Sequence, residues 1–175
     1  LKRSGDIKAI GIGINTDAAL NDTAARIPVD FCLVAMPCTL LDQASLHRGM
    51  ARCLKDGVSV IIGSPFASGI LATGSRVDAP QYAYSRATPD IQERVRKLES
   101  ACTAYGVPLV AAALQFVLAH PAVVSVVPGA ARPIEIEANA TALETPIPSE
   151  FWRALKAEGL VDEAAPVPET IALPS

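Results

Sequence analysis

The chain has 175 residues, half of them hydrophobic and 19% charged, with 15 Lys+Arg against 18 Asp+Glu and a formal net charge of −3. That apolar content supports a core and excludes wholesale disorder. The mildly acidic balance argues against nucleic acid as a partner, and Gly and Pro break every apolar run well before about 18 residues, so no membrane span is expected. A complete eight-stranded α/β barrel takes roughly 250 residues, and this chain is too short to be one.

Four apolar runs read as strands: Ala9–Ile14, Phe31–Met36, Val58–Ile62 and Val123–Val127. None alternates with polar residues, as is typical of parallel strands covered on both faces. Helical spacing lies between them. Leu46, Met50, Cys53 and Leu54 recur at i, i+4, i+7 and i+8, with His47, Arg48 and Lys55 on the solvent side. The stretch Ala72–Arg86 reads as a long loop, with Gly74, Ser75, Asp78 and Pro80 suited to a flap near a site. Thr88-Pro89 is an N-cap followed by Pro at the first helical position. The helix it opens buries Ile91, Val95, Leu98 and Cys102 and stops at Gly106.

Val107-Pro108 opens a second helix, Leu109 to Ala119, stopped by His120-Pro121. A further helix runs from Pro133 to Leu143, and the last, from Ser149 to Glu158, turns Trp152 and Leu155 inward and ends at Gly159. From Ala164 the tail, with Pro166, Pro168 and Pro174, is expected to be an extended arm. The order β-α-β-α-β-loop-α-α-β-α-α defines an α/β protein with a parallel sheet.

Cys32, Cys38, Cys53 and Cys102 show no C-x-x-C spacing, so no metal site is expected, and they point to reduced, buried thiols in a cytoplasmic protein. The start, Leu1-Lys2-Arg3-Ser4-Gly5-Asp6, has no apolar segment after its basic residues and no initiator Met. A chain that begins partway through a longer one is the expectation.

Parallel α/β sheets bind ligands at the carboxyl ends of their strands. Here those ends are Gly11-Ile12-Gly13-Ile14-Asn15, Gly63-Ser64-Pro65-Phe66-Ala67-Ser68-Gly69-Ile70-Leu71 and Pro128-Gly129-Ala130-Ala131-Arg132-Pro133. The first lacks the third Gly of a dinucleotide fingerprint, which weakens a doubly wound reading. The last turns into a helix amino end, where free N–H groups can meet a phosphate.

Several segments together resemble the C-terminal half of the aldo-keto reductases. They are Ile7-Lys8-Ala9-Ile10-Gly11, Ser64-Pro65 with Ser68-Gly69-Ile70-Leu71, Gly106-Val107-Pro108-Leu109, Ala112-Ala113-Leu114-Gln115-Phe116, Ala119-His120-Pro121 and Val126-Val127-Pro128-Gly129-Ala130. The Gly11–Asn15 stretch, Thr39-Leu40-Leu41-Asp42-Gln43 and the ending from Phe151-Trp152 to Ala165-Pro166 look nearest the sugar and pyridoxal dehydrogenase branch. The resemblance implies the C-terminal half of a TIM (β/α)8 barrel, strands five to eight, with an extra C-terminal helix and arm, residues 1–175 forming one partial domain. It also implies a nicotinamide cofactor and an oxidoreductase acting on a sugar or small aldehyde or lactol.

By that resemblance Asn15 matches, within one position, the Asn at the nicotinamide carboxamide, Ser64 the Ser at the pyrophosphate and Asn139 the Asn near the adenine. The turn residues Gly129, Ala130 and Arg132 join them. The plainer alternatives are that Asn15 caps the next turn, Ser64 bonds its own loop and Asn139 faces solvent. Two departures stand out. Gly63 replaces an aromatic that stacks on nicotinamide in many relatives. Gly129 and Glu135 replace the Lys and Arg of many NADP-dependent members. A carboxylate at Glu135 repels a 2′-phosphate and accepts from ribose hydroxyls, which favours NAD with NADP as the alternative.

The family's proton transfer uses a Tyr tuned by Lys and Asp, with a His beside it. The resemblance places all four in the other barrel half, and no residue here matches them, so the chain alone is expected to be inactive. Tyr82, Tyr84 and Arg86 in the long loop are candidates for substrate contacts or plain surface residues. His47 and His120 read as structural. Four parallel strands leave open edges and an uncovered interior, so the expected partner is the missing N-terminal half or a second copy of this one. The reading from another class is a non-catalytic half-barrel that binds a nucleotide or self-associates.

Overall fold

The computed structural model describes residues 1–168. In chain order the elements are β1 (Gly11–Ile14), α1 (Asp17–Arg26), β2 (Phe31–Val34), a π turn (Leu46–Met50) running into α2 (Ala51–Asp56), and β3 (Ser59–Ile62). A 3-10 turn (Ala67–Gly69), α3 (Ile70–Thr73) and a small hairpin of β4 (Gln81–Tyr82) and β5 (Ser85–Arg86) follow. The chain then forms α4 (Pro89–Tyr105), α5 (Leu109–Leu118), β6 (Val123–Val126), α6 (Pro133–Glu144) and α7 (Ser149–Ala157).

The four long strands pair in the order β1-β2-β3-β6, all parallel. Parallel neighbours need crossover helices, which explains the alternation along the chain. The helix-covered face of the sheet buries Ile14, Cys32, Val34, Val60 and Ile62. The opposite face carries Phe31, Leu33 and Ile61, and Leu33 is 40% exposed there. A Cβ at Gly11 would overlap the Phe31 ring, so glycine at that position lets the ring lie across the neighbouring strand. The register shifts between Val60 and Ile61, leaving Val124 unpaired and exposed on the outer strand.

Local chemistry sets the helix ends. Thr16 Oγ1 accepts from Ala19 N at 3.3 Å and caps α1. Thr88 Oγ1 accepts from Ile91 N at 3.4 Å, with Pro89 at the first helical position of α4. Gly106, at φ 65°, ends that helix in the left-handed conformation that suits glycine. Phe151 and Trp152 of α7 are buried with ring centroids 4.9 Å apart, and Tyr105 meets Phe151 edge-on at 6.0 Å.

The four expected strands are present, each one to two residues shorter than its apolar run. Val95, Leu98, Cys102, Trp152 and Leu155 are buried as the spacing predicts, whereas Ile91, in the first turn of α4, is only half-buried. Leu54 is a correction: it is 49% exposed. Its segment opens with a π turn in which Met50 N donates to Ser45 O at 2.9 Å. The wider turn rotates the following residues and carries Leu54 out of the apolar stripe. The long loop is a second correction, since α3 ends inside its start at Thr73 and the β4–β5 hairpin forms its last part. In the tail, Ala165 is buried, and Pro174 lies outside the described residues.

All four cysteines are free and buried. No single helix among the described residues is long and apolar enough to cross a membrane.

Candidate functional site at the carboxyl ends of the strands

Three adjoining clefts run along the carboxyl edge of the sheet. The first, about 450 Å³, is lined by Gly13, Ile14, Asn15, Leu33, Ala35, Gly63 and Tyr84. Gly63 also borders the second, about 320 Å³, which Ser64, Phe66, Ser68 and Gly129 share. Phe66, Ala72 and Gly129 continue into the third, about 750 Å³, whose far wall is α6 with Arg132, Glu135, Ala138 and Asn139. One open trough therefore connects Asn15 at the end of β1 to Asn139 on α6.

The structure brings Asn15, Ser64, Gly129, Arg132, Glu135 and Asn139 to this trough; Ala130 stands in the exposed turn beside it. The N-cap of α1 is Thr16, not Asn15, so Asn15 is exposed at the first cleft. Ser64 Oγ lies 3.9 Å from Met36 Sδ, as does Ser68 Oγ. A thioether is a weak acceptor, which leaves both hydroxyls available to a stronger partner. Backbone strain is concentrated nearby. Met36, Ala67 and Ser68 have φ of 80°, 48° and 62°, in the left-handed region that non-glycine residues rarely adopt.

At the third cleft, Glu135 Oε2 accepts from Ala131 N at 2.8 Å and Oε1 accepts from Arg132 Nε at 2.9 Å. The Ala131 N–H first, and the Arg132 guanidinium second, hold the Glu135 carboxyl below its ordinary pKa. The amino end of α6 thus already carries an anion from its own chain, and Arg132 is paired rather than free.

Of the loop candidates, only Tyr84 lines the trough, and the residue is 78% exposed. Tyr82 is half-buried, with its hydroxyl donating to Asp42 Oδ2 at 3.2 Å; burial and that carboxylate push its pKa up to about 12. Arg86 is exposed on β5. His47 Nε2 sits 2.8 Å from Asp162 Oδ2 on the surface. His120 is buried before β6, at the opposite end of the sheet, where its Nδ1 accepts from Ala122 N at 3.2 Å.

Sequence reasoning missed Gln115. Its amide donates to Ala142 O at 2.9 Å and Thr145 O at 2.7 Å, tying the last turn of α6 to α5. A lone amide inside an otherwise apolar helix was the available signal. Phe66 and Val110, which form an apolar wall of the third cleft, were also passed over.

A parallel sheet whose strands lie side by side in chain order, with clefts at its carboxyl edge, fits part of a (β/α)8 barrel. The Aldo/keto reductase family profile matches residues 1–158. The chain is 37% identical over 161 residues to the pyridoxal 4-dehydrogenase of Microbacterium luteolum, covering 92% of this chain and 47% of that protein. It is 31% identical to the D-threo-aldose 1-dehydrogenase of a Pseudomonas species, covering 92% of this chain and 49% of that one. The holo form of an aldo-keto reductase from Bacillus halodurans superposes with a TM-score of 0.69 at 25% identity, over 94% of this chain and 54% of the other. The chain belongs to the aldo-keto reductase family. It spans about half the length of these relatives, and its parallel sheet matches about half of an aldo-keto reductase barrel. Members of the family use NAD(P)H.

Proposed function

We propose that the chain is the cofactor-binding half, strands five to eight, of an aldo-keto reductase that oxidises or reduces a sugar or small aldehyde or lactol with NAD. The observation that carries this reading is the single trough from Asn15 to Asn139. Its first cleft suits the nicotinamide with Asn15 at the carboxamide. Ser64 and Ser68 offer hydroxyls to the pyrophosphate, and Phe66, Val110 and Asn139 receive the adenine. When bound, the cofactor would accept the hydride in oxidation or supply it in reduction. The chain's own residues bind and orient it, and Glu135 at the amino end of α6 disfavours a 2′-phosphate and so NADP.

Among the described residues no Tyr stands beside Lys, Asp and His in this trough, and the reading assigns proton transfer to the N-terminal half of the barrel. Titrating NADH into the 175-residue chain, followed by cofactor fluorescence, should show binding, and sugars or aldehydes added with NAD should give no turnover. The complete protein should give both. Failure of the complete protein to bind either cofactor overturns the reading.

A second reading rests on the sheet itself. Leu33 and Val127 stand 40% and 53% exposed, and β1 and β6 are open edges. A half-barrel that pairs with a second copy would cover both. Light scattering distinguishes this: a folded monomer across micromolar concentrations excludes it.

A further inference from the structure

Tyr84 sits at the tip of the β4–β5 hairpin, in the two-residue turn between Tyr82 and Ser85. Ala83 and Tyr84 have φ of 50° and 62°. Such turns ordinarily take Asn-Gly, because both central residues are left-handed. An Ala-Tyr pair there is strained, and its surroundings hold it. Tyr84 N donates to Ser68 Oγ at 3.2 Å, Ser85 Oγ donates to Tyr82 O at 3.2 Å, and the Tyr82 hydroxyl ties the hairpin to Asp42. Ala87 N donates to Pro80 O at 2.8 Å and closes its base.

The hairpin presents Tyr84, a residue 78% exposed, so packing in the core does not explain it. The Tyr84 ring is the one aromatic side chain lining the cleft that also holds Asn15. Gly13, Ala35 and Gly63 share the cleft and project little or nothing beyond the backbone. A planar ring can therefore approach the strand ends closely, with Tyr84 on its other side.

We propose that Tyr84 is a positioning residue that packs its phenol ring on the nicotinamide ring of the bound cofactor. The inference deepens the cofactor reading above and rests on it. A phenol ring has an electron-rich face, and the oxidised nicotinamide is a cation, so the contact favours NAD+ over NADH.

The test uses the complete protein with two probes, NAD+ and ADP-ribose, which lacks the nicotinamide. Tyr84→Gly removes the ring while relieving the left-handed turn, so the hairpin keeps its fold. Its affinity for NAD+ should fall about five- to tenfold, with ADP-ribose affinity unchanged. Tyr84→Phe should bind NAD+ as the wild type does. The wild-type preference for NAD+ relative to NADH should shrink in the Gly variant and persist in the Phe variant. Unchanged NAD+ affinity in Tyr84→Gly overturns the proposal. So does an equal loss for NAD+ and ADP-ribose, which marks a displaced hairpin, or an equal loss in the Phe variant, which marks the hydroxyl. If the wild type binds neither probe, the cofactor reading itself fails and this inference fails with it.

Discussion

The carboxylate of Glu135 accepts a hydrogen bond from the backbone N–H of Ala131 at 2.8 Å, placing a negative charge at the amino end of the helix to which Glu135 belongs. Helix amino ends favour anions, and here a side chain has taken the position that a ligand phosphate would otherwise use. Arg132 braces the same carboxylate. Glu135→Gln keeps the shape and removes the charge. It should lower the Kd for NADP relative to that for NAD by roughly two- to fivefold. Parallel titrations of both cofactors into the complete protein measure the ratio, and an unchanged ratio would remove Glu135 from the 2′-phosphate region.

His120 gives a pH dependence with a defined sign. It is buried, and its Nδ1 accepts from Ala122 N, so the neutral ring fits the site. Burial lowers its pKa below the ordinary 6.5. The unfolded chain then binds more protons than the folded one between the lowered value and 6.5. Stability is fully retained above about pH 6.5 and falls as the pH drops below it. Asp30, Glu135, Glu150 and Asp162 also have lowered values, from ordinary values of 3.8 to 4.5. What they contribute is lost at more acid pH, so the two windows separate. Urea midpoints at pH 5.5 and pH 7.5, for the wild type and His120→Gln, check this. The variant should show a smaller difference between the two.

Gln115→Leu preserves volume and removes the donor to Ala142 O and Thr145 O. Ala142 is buried, and its carbonyl would lose this partner. The expected cost is about 1–3 kcal/mol. The single tryptophan, Trp152, is buried and reports unfolding by fluorescence. Because Gln115 holds α6, cofactor affinity should fall along with stability. A loss of stability with cofactor affinity unchanged would show that α6 stays in place without the amide.

Burial pushes the thiols of Cys38, Cys53 and Cys102 up to about 12, and that of Cys32 upward. The thiolate is the reactive form. Native protein at pH 8 should therefore react very slowly with an aromatic disulfide reagent, and denatured protein should release four equivalents. A fast-reacting thiol in the native state would mean that one of these sites opens.

Strand positions, helix caps and alternation were legible because short-range chemistry decides them. Thr88-Pro89, Gly106 and the four apolar runs act within a few residues of themselves. The family, too, was legible, since its motifs are contiguous stretches such as Val126–Ala130. Leu54 was misread because a π turn, which spacing alone does not reveal, rotates the face of its helix. The hairpin inside Ala72–Arg86 was hidden because its turn carries Ala83 and Tyr84 where glycine would have marked it. The roles of Gln115 and Glu135 depend on which backbone groups lie within reach, and Gln115 joins groups about 30 positions apart.

By itself the sequence determined an α/β chain with four parallel strands, too short for a whole barrel and kin to the aldo-keto reductases. Only the tertiary structure decided which side chains share the trough. Asn15, Gly63, Tyr84 and Asn139 meet along one edge because parallel pairing aligns the carboxyl ends of β1, β2, β3 and β6. Helical and strand periodicity are local properties of a chain. The convergence of its loops follows from sheet register and crossover, which bring residues more than a hundred positions apart to the same edge.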